Sequence, residues 1–237
     1  IEAARPLVTA DIEDENLDVA LGLGVLLMRP KDAPRDGSSE RQILLRAGRA
    51  ERHSATKQFA EAKEAYSALV REAADFPNVH YAYGRFLLVI EEREQAIAEF
   101  LKEIERDPTH VRARMRIATA RYRVDSAAGV PFAQEVVKLR PDYPFGHYLL
   151  GLLYFDTGDI QRAIPALEAA AHMVPDEPQF QFTLGNAYAR AGRKEDAARA
   201  RAAFLRLQGD DTAASPPRLD LDEAEPTPRA GKSRRPR

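Results

Sequence analysis

The chain has 237 residues, 44% apolar and 30% charged, with only 8% aromatic residues and no tryptophan, a composition that disfavours one large core and suits many small alanine-lined helix seams. Its 35 basic and 37 acidic residues nearly cancel, so no global field draws it to nucleic acid or to an anionic membrane. The absence of cysteine excludes disulfides, thiolate zinc sites and cysteine nucleophiles, and it leaves the redox compartment open.

The first apolar run, Val19 to Met28, is about half of what a bilayer crossing requires, and it follows an acidic stretch where a signal peptide would be basic. It predicts a buried helix over 16–29. The stretch MRPKDAPRDGSS after it, with two prolines, a glycine and two serines, reads as a loop. Residues 1–39 are thus expected to form a degenerate or partial helical unit and its loop. No targeting segment is expected in the given chain, which begins at Ile1 and not at methionine, and its location is left unassigned.

From residue 40 onward the chain repeats. Gly84, Gly151 and Gly185 are each followed twelve residues later by Ala96, Ala163 and Ala197, and the first two alanines are followed, twelve further on, by Pro108 and Pro175. Gly151 and Gly185 are 34 residues apart, whereas Gly84 and Gly151 are 67 apart, two periods less one, so the middle unit lacks a residue. Five units are read at about 40–77, 78–108, 109–141, 142–175 and 176–208. Glycine or alanine at a helix crossing lets two backbones approach, a 3.6-residue apolar stripe seals the seam, and a closing proline ends the second helix. Thr157-Gly158-Asp159 and Ala191-Gly192-Arg193 supply turns between paired helices.

Carried by Leu150, Gly151, Tyr154, Ala163, Leu167, Ala170 and Pro175, and again by Leu184, Gly185, Tyr188 and Ala197, the pattern resembles the tetratricopeptide repeat family over roughly 40–208. The resemblance implies an all-α fold, a right-handed α-solenoid of antiparallel helix pairs, in which each pair is stabilised by its neighbours. Three positions depart from the pattern: Arg201 replaces a large apolar residue, Ala118 a glycine, and Glu103 a small residue. Two prolines fall ten residues before the closing ones. Pro131 is expected to open a shortened helix, and Pro165 to mark a kink or a late start. Residues 209–237, with five prolines and mixed charge, are expected to be a disordered tail.

The family likeness also implies a function, that of holding a protein or peptide partner in a concave groove lined by the first helix of each unit. The seam stripe is assigned to His147, Leu150, Gly151 and Tyr154, and to Gln181, Leu184, Gly185 and Tyr188. The adjoining stripe is the candidate groove: Asn78, Tyr81 and Arg85; Arg112, Met115 and Thr119; Phe145, Tyr148, Leu152 and Phe155; Gln179, Phe182 and Asn186. The helix carrying Phe145 to Phe155 is apolar on both stripes, which means either an exposed anchor pocket or burial against neighbouring first helices. A lysine–asparagine clamp for a peptide carboxylate, found in some members, is not visible, because residues such as Tyr81, Arg85, Arg116, Phe145 and Leu149 stand in its places.

Other function classes find less support. Arg112, Arg114, Arg116, Arg121 and Arg123 surround Tyr122, but they spread around one helix and face Glu99, Glu103 and Glu105 on the helix before, so a partly paired, solvated face is preferred to single-strand nucleic-acid binding. His53, His80, His110, His147 and His172 show no metal spacing, and no phosphate loop, serine elbow or acid pair appears. Neither catalysis, a cofactor nor a small-molecule substrate is expected. The alternative to a partner-binding scaffold is a structural or self-associating module; the oligomeric state is not encoded in any recognisable pattern.

Overall fold

A computed structural model describes residues 17–28 and 38–209 of the chain. Among these residues every regular element is an α-helix. The expected tail lies outside the described residues except for Gly209, as do 1–16 and most of the predicted loop. The chain divides into two compact units, one ending at Ala120 and the other beginning at Arg121.

The first unit contains α1 (17–25), α2 (Ser39–Ala55), α3 (Phe59–Ala73), α4 (Val79–Val89), α5 (Arg93–Arg106) and all but the last residue of α6 (Val111–Arg121). Helices α2 and α3 pack as one hairpin and α4 and α5 as the next, with α3 against α4. Helix α1 lies so close to α2 that a Cβ on Gly22 would land on the Leu44 carbonyl oxygen and one on Gly48 on the Asp18 carbonyl oxygen. This contact buries Val25 and Leu26 and brings Asp18, itself buried, to Arg49 and Arg52 at 3.2 Å.

The second unit holds α7 (Ser126–Leu139), α8 (Pro144–Asp156), α9 (Ile160–Met173), α10 (Pro178–Arg190) and α11 (Lys194–Gly209). Helices α8/α9 and α10/α11 are hairpins, α7 packs on α8, and α9 packs on α10. Proline at the first helical position starts α8 and α10, where a missing N–H costs no hydrogen bond. Asp125 and Asp159 cap α7 and α9 by accepting from the backbone N–H of Ala128 and Arg162.

The repeat register reappears as packing. Gly84 lies over Phe100, where an added Cβ would come within 2.6 Å of the ring, and Gly151 lies over Leu167 with the same 2.6 Å approach. Phe100 and Leu167 are fully buried, a term of roughly 1.5–3 kcal/mol each. At Gly185 the corresponding residue is Arg201, which is exposed and meets the glycine only through its Cγ at 3.5 Å. The hairpin turns share a left-handed residue: Gly158 (φ 83°) and Gly192 (φ 76°) in the second unit, but Lys57 (φ 61°) and Glu91 (φ 63°) in the first. Only the glycines adopt it without steric cost.

The expected shortened helix at Pro131 and the expected late start at Pro165 are both corrected. Pro131 does not open a helix; α7 starts five residues earlier on its Asp125 cap and runs through the proline. Helix α9 likewise starts at Ile160 with Pro165 inside it. Both prolines are exposed, and the carbonyls they leave unpaired belong to Ala127 and Gln161, exposed residues whose oxygens water can satisfy.

Candidate functional site

In the first unit, the residue that looked out of place in the sequence organises a buried polar network. Glu103, fully buried on α5, accepts from the backbone N–H of Asn78 (3.1 Å) and Tyr81 (3.2 Å), two free donors at the start of α4, and from the Arg106 guanidinium. Asn78 sits at φ 66°, a left-handed conformation that asparagine tolerates better than most residues. Its side-chain amide donates to the Leu26 carbonyl at 2.9 Å, and its Oδ1 is 2.8 Å from His110 Nε2. Because His110 Nδ1 accepts from the Ala113 N–H at 3.0 Å, the ring proton sits on Nε2 and is donated to Asn78. Asn78 is therefore a tether between helices, not a free groove side chain.

The His110 ring is buried, and burial lowers its pKa even though Glu103 and Asp107 pull it upward. With the folded-state value below the ordinary one near 6.5, neutral His110 contributes stability that is fully present above about pH 6.5 and lost as pH falls through the folded pKa. Urea unfolding between pH 8 and pH 5 is expected to show stability declining toward acid, with a shallower decline in a His110→Asn variant. His80 and Glu99, also buried, meet at 2.6 Å; burial raises the Glu99 pKa, but hydrogen bonds from His80 and Lys102 outweigh it and hold the carboxyl below its usual range. Glu99 thus binds His80 and Lys102, Glu103 binds Arg106 and the head of α4, and Arg114 turns inward to the His110 carbonyl at 3.2 Å.

The candidate groove residues fall into two sets. Tyr81, Met115, Tyr148 and Leu152 are buried: the groove assignment of Tyr81 and Met115 is corrected, and of the two alternatives for the apolar helix Tyr148 and Leu152 take burial. Tyr81 lies 5.0 Å from the His110 ring at the head of α6. Tyr148 stacks on Phe180 of α10 at 4.6 Å and shares a hydrogen bond of 3.0 Å with Thr183. Burial pushes the Tyr148 phenol up to about 12, against the opposing hydrogen bond, so it stays neutral at any physiological pH. The reason is geometric. A first helix is covered by its own second helix and also by the next first helix, and the positions of Tyr81 and Tyr148 face that next helix. From Tyr148 to Tyr154 every residue of α8 is buried, as a helix apolar all round requires.

The position of Phe182 repeats that of Tyr148 one unit later, yet it is 48% exposed, with its ring 5.1 Å from that of Phe204. No further first helix follows α10 among the described residues, so Phe182 marks the end face of the second unit. The second set remains accessible or half-accessible: Arg85, Arg112 and Thr119 in the first unit, and Phe145, Phe155, Gln179 and Asn186 in the second. Phe145 stands edge-on to Phe180 at 5.5 Å, whereas the guanidinium of Arg190 lies 5.3 Å over the Phe155 ring and donates to the Phe155 carbonyl. An analogous pair, Arg123 over Tyr122, sits in the turn after α6. Neither arginine was picked as a groove residue, although the register of the repeats already placed Arg123 and Arg190 beside the terminal aromatic row. Among the described residues no three histidine, aspartate or glutamate side chains converge as a metal cage, and no helix is long and apolar enough to cross a membrane.

The tetratricopeptide repeat family model matches residues 45–111 and 148–215. No curated protein matches the sequence significantly. Among solved structures, MamA 41-end from Desulfovibrio magneticus RS-1 superposes with a TM-score of 0.67 at 21% identity, covering 73% of this chain and 98% of that one. A MamA RS-1 double mutant gives 0.67 at 22% identity over 73% and 98% of the two chains. YrrB, described as a TPR protein with an unusual peptide-binding site, gives 0.61 at 16% identity over 71% and 87%. Likeness at these identities concerns the fold.

Proposed function

The chain belongs to the tetratricopeptide repeat family, and from that premise we propose that it is a protein-interaction scaffold holding a peptide or protein segment against its first helices. One observation carries the reading. Helices α8 and α10 are consumed by packing over most of their circumference, yet Phe155, Gln179 and Asn186 stay half-exposed on them, with the Gln179 amide also within reach of the Tyr148 phenol. They offer an apolar ring beside two side-chain amides, a surface suited to an apolar anchor and to the backbone of a bound segment. In the first unit Arg85 and Arg112 are half-exposed on α4 and α6, whereas the Thr119 hydroxyl is buried. The MamA and YrrB structures support the architecture on which this reading rests.

The experiment is affinity capture from native lysate with the full chain, run beside Gln179→Arg, Asn186→Arg and, as a control on α11, Arg206→Gln. A specific partner is expected to be held by the wild type and the control, and to bind about tenfold more weakly to the two arginine variants, the scale of one disrupted contact at an interface centre. Equal capture by all four would remove the proposed face. Tyr148 is unsuitable as a probe, because truncating so deeply buried an aromatic costs about 3–5 kcal/mol of folding stability.

A further inference from the structure

In the second unit two exposed guanidiniums lie over aromatic rings without an ion-paired carboxylate. Arg140, Arg162, Arg193 and Arg199 are all paired with aspartates, to Asp142, Asp159, Asp196 and Asp196 respectively. Arg123 and Arg190 are both exposed, and no carboxylate among the described residues lies within ion-pair distance of either. Each instead lies over an aromatic ring, Tyr122 or Phe155, at 5.3 Å. Each also uses one N–H locally, to the Tyr122 hydroxyl or the Phe155 carbonyl, both at 3.3 Å. A guanidinium has five N–H donors, so stacking and a single local bond fix its plane while leaving most of its fork open. Tyr122 and Phe155 pack on the same core cluster, around Tyr148, Leu152 and Phe180. Asp156 occupies the row beside Phe155; its carboxylate accepts from the Ser126 hydroxyl at 2.6 Å and attracts Arg123 without reaching ion-pair distance.

We propose that this end of the face binds an acidic segment of a partner protein, with aspartate or glutamate carboxylates on Arg123 and Arg190 and an apolar side chain of the same segment against Phe155. The inference rests on the scaffold reading above and gives its partner a chemistry. Planar guanidiniums held at fixed orientation match carboxylates bidentately, and their stacking reduces the entropy lost on binding. Single-stranded nucleic acid is the poorer fit. It binds by stacking bases on aromatic faces, and here the arginines already occupy those faces.

The test uses the full chain and an unbiased phage-displayed peptide library, followed by fluorescence anisotropy with a labelled Asp/Glu-rich peptide containing one phenylalanine, a Lys/Arg-rich peptide of the same length, and an oligothymidylate. Selection is expected to enrich acidic peptides, and the acidic probe to bind with an affinity that falls as salt rises. Arg123→Gln and Arg190→Gln should each weaken it about tenfold, with Arg206→Gln neutral and circular dichroism unchanged in all three. Library peptides that bind but are basic or uncharged, and are insensitive to Arg123→Gln and Arg190→Gln, would overturn the acidic assignment while leaving the scaffold reading intact. Tighter binding of the oligothymidylate than of the acidic probe would overturn it in favour of nucleic acid. A library that yields no binder would sink both readings together.

Discussion

Replacing Glu103 by alanine is expected to destabilise the first unit by about 3–5 kcal/mol, among the largest effects of any single substitution in the chain. The carboxylate is wholly buried, and its two oxygens serve the Asn78 and Tyr81 N–H groups together with Arg106. Alanine removes the acceptor for both N–H groups, each of which then bears a desolvation penalty of about 1–3 kcal/mol, and it also leaves Arg106 without its partner. Asn78 would lose the anchor that holds its left-handed conformation, and with it the positions of Leu26 and His110. Urea unfolding followed by circular dichroism should register the loss, and Glu103→Gln, which keeps one acceptor oxygen, should fall between alanine and wild type. A change below about 1 kcal/mol in the alanine variant would mean that the network contributes little.

The second large effect is expected at Gly48. The backbones of α1 and α2 touch there, so even a methyl group at position 48 would occupy the place of the Asp18 carbonyl oxygen. A side-chain neighbour can rotate away from an added methyl; a backbone carbonyl cannot. Gly48→Ala should therefore lift α1 off α2 at a cost of at least about 2–3 kcal/mol, exposing Val25 and Leu26 and separating Asp18 from Arg49 and Arg52. Hydrogen exchange should quicken across the amides of 17–26 while α8 to α11 keep wild-type protection, because repeat hairpins depend on their nearest neighbours. Unchanged protection in α1 would refute the backbone contact.

The period, the crossing glycines and the turn glycines could be read from the sequence because each solves a local steric problem that recurs at one spacing. Gly84, Gly151, Gly158 and Gly192 all occupy the roles their positions implied. The inner surface was harder to read. Periodicity shows which side of a helix is apolar, but a first helix has neighbours on more than one side, and nothing local in Tyr148 distinguishes a side chain facing a partner from one facing the next hairpin. Phe182 shows the same ambiguity from the other direction, since it too is an aromatic at the position of Tyr148, yet it is exposed where no further first helix follows among the described residues. Pro131 and Pro165 are tolerated inside α7 and α9 because their side of the helix faces water, a fact that the usual cost of proline in a helix does not reveal. Glu103 could be seen as a departure, yet its purpose depends on N–H groups that belong to a different helix. The pairs of Arg123 with Tyr122 and Arg190 with Phe155 lay in the repeat register but join residues that composition alone does not connect.

The most direct measurement of the central claim, that a partner lies along the first helices, is hydrogen–deuterium exchange of the full chain with and without a captured or selected ligand. Slowed exchange is predicted in the C-terminal half of α8, through Phe155, and along α10 from Gln179 to Arg190, with α9 and α11 unchanged. Protection confined to α9 and α11 would contradict it.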